Sequence, residues 1–127
     1  MVTNKGQWSS IGERYMVSCF ENIFKAKFTK IRPSWLTNPK TKRNLELDCY
    51  NETLRIAGEY NGRQHYSYTP YFHKDEKDFQ EQKNRDACKY NACQRNNVLL
   101  VTVPYTVSQS KMQQFIYKEL VRKMSSS

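Results

Sequence analysis

The segment NLELDCYNETLRIAGEYNGRQHY, Asn44 to Tyr66, decides how the rest of the chain is read. Leu45, Leu47 and Cys49 alternate with Glu46, Asp48 and Tyr50, and Leu54, Ile56 and Gly58 alternate with Arg55, Ala57 and Glu59. A period of two marks half-buried strands, so the acids belong to defined faces rather than to a solvated run. Opposed residues of an antiparallel hairpin have a constant index sum, and Asp48 with Glu59 gives an odd one. Any such register without a bulge puts both carboxylates on one face. A tight Asn51-Glu52 turn would stagger them, whereas a connection centred near Thr53 and Leu54 would set them opposite each other. Two converging acids repel, and a hard divalent cation resolves that conflict.

Around this hairpin the chain has room for one domain over residues 1–127, with a real core but not two. Its formal charge is +9, from 21 Lys and Arg against 12 Asp and Glu. Such an excess in a small domain points to a polyanion, nucleic acid above all. No run of apolar residues is long enough to span a membrane, and MVTNKGQWSS lacks the apolar core of a signal peptide, so an intracellular protein of cytoplasm or nucleus is expected. Cys19, Cys49, Cys88 and Cys93 form no C-x-x-C pair and fit reduced, buried thiols. A zinc site from Cys88, Cys93 and a histidine is disfavoured, because a five-residue spacing splays the sulfurs along a helix.

Upstream, Ser10-Ile11-Gly12-Glu13 has the form of a capping box, and Ile11, Tyr15, Cys19, Phe20, Ile23 and Phe24 follow at helical spacing, which predicts a helix from about Ile11 to Lys25. AKFTKIR, residues 26–32, alternates weakly as a strand. The loop that follows carries Trp35, Lys40, Lys42 and Arg43, a composition that can track phosphates while the ring packs on a sugar or base, or equally leave Trp35 in the core.

Downstream, a polar helix is expected over about Lys74 to Asn96, with Phe79, Asp86 and Tyr90 on one face, Lys83 there too, and Lys89 toward its edge. Asn96-Asn97 stops it. VLLVTV, Val98 to Val103, is a continuous apolar run typical of a strand buried on both faces, expected at the centre of the sheet. A second capping box, Thr106 to Gln109, opens a final amphipathic helix over about 107–124. The order helix, strand, strand, strand, helix, strand, helix makes an α/β domain, a mixed sheet with helices on both faces.

This α-β-β-β-α-β order, with an acid in the second strand, another at the end of the third and Glu13 in the first helix, resembles the PD-(D/E)XK nuclease superfamily and its restriction-endonuclease-like fold. LELDCY, IAGEYNGRQHY, RDACK and LLVTVPY are similar to the group related to very-short-patch-repair endonucleases. The likeness covers about Ser10 to Tyr105, and EYNGRQHY is its most specific piece. It implies an endonuclease that uses Mg²⁺, with Mn²⁺ as a substitute, to nick or cleave DNA.

By position, the resemblance makes Asp48 and Glu59 the metal-holding acids, Gln64 and His65 the residues that position or activate water, and Glu13 an accessory acid acting through the metal's water shell. The superfamily's lysine two residues after the second acid is Asn61 here. His65 suits a proton acceptor near neutral pH, while Gln64 can only orient water or hold an oxygen. Lys89, Lys40, Lys42, Arg43 and Arg63 are the expected DNA contacts. A homodimer or a larger nucleoprotein complex is compatible with that role. The missing lysine leaves an alternative, a nucleic-acid-binding module that keeps the fold without the reaction; a third class is a protein-assembly domain whose basic charge is incidental.

Overall fold

The computed structural model describes residues 10–63 and 73–125. Their elements are α1 (Ile11–Phe24), β1 (Thr29–Ile31), β2 (Leu47–Asn51), β3 (Ile56–Asn61), α2 (Glu76–Arg95), β4 (Leu99–Pro104) and α3 (Gln109–Ser125), the element order expected from the sequence. The strands form one mixed sheet in the order β1-β2-β3-β4. β1 pairs β2 and β2 pairs β3 antiparallel, while β3 and β4 run parallel through the α2 crossover.

Alternation along the strands separates two apolar cores. Ile56, Cys49, Val101 and Val103 join Met16, Phe20, Met112, Ile116 and Leu120 of α1 and α3. Tyr50, Ala57 and Leu47 join Leu36, Ala92, Cys93 and Val98 on the α2 side. Helices therefore cover both faces of the sheet, and Trp35 packs at the margin of the second core, edge-on to Tyr50 at 6.2 Å between ring centroids. Among the described residues, no helix is long and apolar enough to cross a membrane.

The last strand is not central. β4 pairs only with β3 among the described residues and lies at the edge of the sheet. Its apolar run reflects helices rather than strands: Val101 and Val103 enter the α1–α3 core, Leu100 packs against the α2 core, and Thr102 is exposed.

Ends and turns follow local chemistry. Ser10 caps α1, its Oγ accepting the Glu13 N–H at 3.0 Å, and Asp75 caps α2 in the same way through Asp78. Asn96 ends α2, and Asn97 takes a left-handed conformation at φ 57°. The Thr106 capping box does not form, since α3 begins at Gln109 and follows a turn in which Val107 N–H bonds the Pro104 carbonyl. Two glycines permit close approach: a Cβ at Gly58 would overlap the Phe20 ring, and one at Gly12 would overlap the Tyr60 ring.

Candidate metal and phosphate site

The β2–β3 hairpin turns through Glu52 to Arg55. Asn51 holds it, its carbonyl accepting the Arg55 N–H and its side chain the Leu54 N–H. Arg55 sits at φ 58° and reaches Tyr50, Glu52 and the Asn96 carbonyl at the end of α2. This turn is centred on Thr53 and Leu54 and sets the register Asn51–Ile56, Tyr50–Ala57 and Cys49–Gly58, past which Asp48 and Glu59 are the next residues of their strands. The looser of the two expected connections is the one formed.

Side chains, not only backbone, join the strands at this point. Tyr60 N–H donates to Asp48 Oδ2 at 2.8 Å, and Asp48 N–H donates to Glu59 Oε2 at 2.8 Å. β2 carries one extra residue relative to β1 between Leu47 and Tyr50, an irregularity next to Asp48. Bulges of this kind re-aim a side chain at the end of a ladder.

Three elements bring further charges to the pair. From α2, Lys89 Nζ lies 2.9 Å from Glu59 Oε1. From β1, Lys30 Nζ lies 2.8 Å from Glu13 Oε2 and 3.7 Å from Glu46 Oε1. From α1, Glu13 acts on Asp48 through its charge. Gly12 allows this, because the first turn of α1 rests on Tyr60, the residue whose N–H binds Asp48. The Ser10 half of the capping box forms, but the Glu13 carboxylate is engaged with Lys30.

Burial makes the pair costly to ionise. Glu59 is 5% exposed. Its pKa rises to about 7, through burial first and the Asp48 charge next, against the pull of Lys89. Asp48 rises to about 6, through burial and then the Glu13 carboxylate, against the Tyr60 N–H, Lys89 and Lys30. Burial alone would lower Lys89, but Glu59 and then Asp48 raise it above the ordinary lysine value. Lys30 is raised by Glu13 and Glu46 against its own partial burial. Two acids with raised pKa values thus lie near two ammonium groups whose pKa values are raised as well.

The structure brings together Asp48, Glu59, Glu13 and Lys89 of the expected site. Lys89 is not at the edge of its helix's packed face; with Ala92 and Cys93 it defines that face, while Tyr90 is 48% exposed. The aromatic residues misled the helical phase, because Tyr90 bonds Gln94 on the surface and Lys83 lies over the Phe79 ring, 5.2 Å from its centroid. Gln64 and His65 fall outside the described residues. Arg63 follows β3 and is exposed. Lys40, Lys42 and Arg43 lie in the exposed β1–β2 loop, closed by a Thr37–Asn44 bridge. That loop borders α2 across a cleft of about 270 Å³ lined by Pro39, Lys40, Glu81, Asn84, Arg85 and Cys88. Lys40 pairs with Glu81 at 3.7 Å.

Lys30 was missed by sequence reasoning. Its signal is parity: in AKFTKIR it is in phase with buried Phe28, so it points to the α1 side of the sheet. Among the described residues no cluster of three or more His, Cys, Asp or Glu side chains could hold a metal. All four cysteines are free thiols; Cys93 is in the second core and Cys88 Sγ faces the Thr37 carbonyl at 3.6 Å. Asp48 and Glu59 supply two hard oxygen donors, the number that suffices for a Mg²⁺ completed by water and phosphate oxygens.

No known protein-family profile matches the chain, and no solved structure does. Its similar proteins include the uncharacterized protein 033L of Invertebrate iridescent virus 3, 38% identical over 122 residues, 94% of this chain and 63% of that protein. The uncharacterized protein 307L of Invertebrate iridescent virus 6 is 48% identical over 85 residues, 63% of this chain and 43% of that protein. The uncharacterized protein 094L of Frog virus 3 is 50% identical over 82 residues, 64% of this chain and 53% of that protein. The chain therefore spans less than two thirds of the length of each of these viral relatives.

Proposed function

We propose that the chain is a metal-dependent endodeoxyribonuclease domain of PD-(D/E)XK type, hydrolysing phosphodiester bonds of DNA. The observation that carries this reading is the Asp48–Glu59 pair: carried on neighbouring strands, bound to each other's strands by N–H bonds of 2.8 Å, with Lys89 bonded to Glu59 and Lys30 bonded to the Glu13 that acts on Asp48. An acid pair raised in pKa by burial first, and then by the Glu13 charge at Asp48 and the Asp48 charge at Glu59, contributes little to stability at neutral pH, so a functional role explains it better than a structural one.

In this reading Asp48 and Glu59 would hold Mg²⁺. The bound ion supplies charge neutralisation at the phosphate and a more acidic water. Glu13 orients water beside Asp48, and its own position is held by Lys30. Lys89 provides the ammonium that the superfamily carries where this chain has Asn61. Gln64 and His65 keep the expected roles of water positioning and proton acceptance. The excess of basic residues draws in the phosphate backbone.

The test is nicking of supercoiled plasmid in Mg²⁺. Wild-type protein should nick, and Asp48→Asn should abolish nicking while sparing DNA affinity; full cutting by that variant ends the proposal. The second reading, a DNA-binding module without catalysis, is favoured by one observation: both oxygens of Glu59 already have donors. Salt-sensitive binding with no cleavage in Mg²⁺ or Mn²⁺ would select it.

A further inference from the structure

Glu59 is the acid whose engagement matters most. Its Oε2 accepts the Asp48 N–H at 2.8 Å and its Oε1 accepts Lys89 Nζ at 2.9 Å. These two bonds differ in how easily they yield. The N–H belongs to β2, next to the Cys49–Gly58 pair, and cannot leave without opening the strand end. The ammonium ends a flexible four-carbon stem and can swing away. Asp48 gives Oδ2 to the Tyr60 N–H and feels the same ammonium. A cation drawn toward both carboxylates therefore meets a positive group already bonded to one of them.

We propose that Lys89 is a displaceable tethered counter-ion: its ammonium holds Glu59 Oε1 and must leave that oxygen before a divalent cation can be held by Asp48 and Glu59. This rests on the reading of those acids as a metal-holding pair. The displaced ammonium stays tethered to α2 beside the pair, where it donates to a phosphate oxygen of a nucleic-acid strand. One side chain thus alternates between an internal carboxylate and an external phosphate. The arrangement differs from competition by a proton, because Lys89 stays charged well into alkaline solution. The other charges facing the pair are Glu13 on α1, Lys30 and Glu46 at the β1 side, and Asp86 on α2.

The experiment is a Mn²⁺ titration of the full chain without DNA, by calorimetry at pH 8.5. High pH is chosen because Lys89→Met leaves the acids without their nearest cation, and below it they would retain a proton that masks the effect. Lys89→Met should bind Mn²⁺ roughly tenfold more tightly than wild type, the scale of one charge-assisted hydrogen bond, and Asp48→Asn should remove the site. A folded Lys89→Met that binds equally or more weakly overturns the displacement and leaves the metal pair standing. No saturable binding by either protein at millimolar Mn²⁺ overturns both. A second readout needs no variant: Mn²⁺ should raise acetylation of Lys89 relative to exposed Lys77 and Lys118 in wild-type protein. Unchanged labelling despite saturable Mn²⁺ binding also overturns the displacement.

Discussion

Asp48 and Glu59 are each anchored by the other's strand: the Tyr60 N–H binds the first and the Asp48 N–H binds the second, both at 2.8 Å. Rotamer freedom at the pair is therefore small, and the repulsion between its members is built into the fold rather than relieved by side-chain motion.

Stability should follow the burial of these acids and the like charges beside them. Both acids have raised pKa values, to about 6 and about 7, so between pH 4 and those values the folded chain holds protons that the unfolded chain has released. The sign is fixed by this difference: stability is greatest at the acid end of the window, falls as pH rises through it, and levels off above about 7. Urea denaturation between pH 4.5 and 8.5 measures the slope. Asp48→Asn should flatten it and be more stable than wild type at pH 8 by about 1–2 kcal/mol.

Glu13→Gln tests the accessory acid. Removing its charge should lower the Asp48 pKa, visible as a shifted carboxyl titration by NMR, since Glu13 is the largest charge acting to raise it. On the nuclease reading the same variant should nick about tenfold more slowly with unchanged DNA affinity. A titration that does not move would remove Glu13 from the site.

Gly58→Ala should destabilise the protein by about 1–3 kcal/mol, because the added methyl meets the buried Phe20 ring and the Cys49 sulfur in a close-packed core. Chemical denaturation at pH 7 checks this, and a cost near zero would show that α1 can move off the sheet.

DNA binding, where it occurs, should weaken steeply with salt. Replacing Lys40 and Arg43 with Ala should weaken it across all sequences and make the slope of log K against log salt shallower by roughly 1–2. A slope unchanged in the double variant would place the contact surface elsewhere than the β1–β2 loop.

Much of the site was legible because it is local. Strand periodicity around Asp48 and Glu59, together with index parity, restricted the hairpin to a few registers, and the Asn51 turn selects one of them. The Ser10 and Asn96 helix ends were readable for the same reason. What the sequence did not convey depends on distant partners. β4 looked like a central strand because helices on both sides of an edge can bury a run as fully as neighbouring strands do. Lys89 looked peripheral because its packing partner is an acid thirty positions away, and a helical phase taken from aromatic residues cannot register such a pairing. Glu13 satisfied a capping pattern, yet its carboxylate goes to Lys30 on β1.

The separation between Glu59 and Lys89 also orders events in time. The two acids meet within a hairpin whose ends are close in sequence, whereas the ammonium arrives only after the α2 crossover docks and β4 aligns beside β3. Local contacts close early and crossover contacts late. A chain emerging from the ribosome thus assembles like charges before it possesses their counterweight, so refolding should accelerate as the solution is acidified from pH 8 to pH 5.5, and stopped-flow mixing would reveal it.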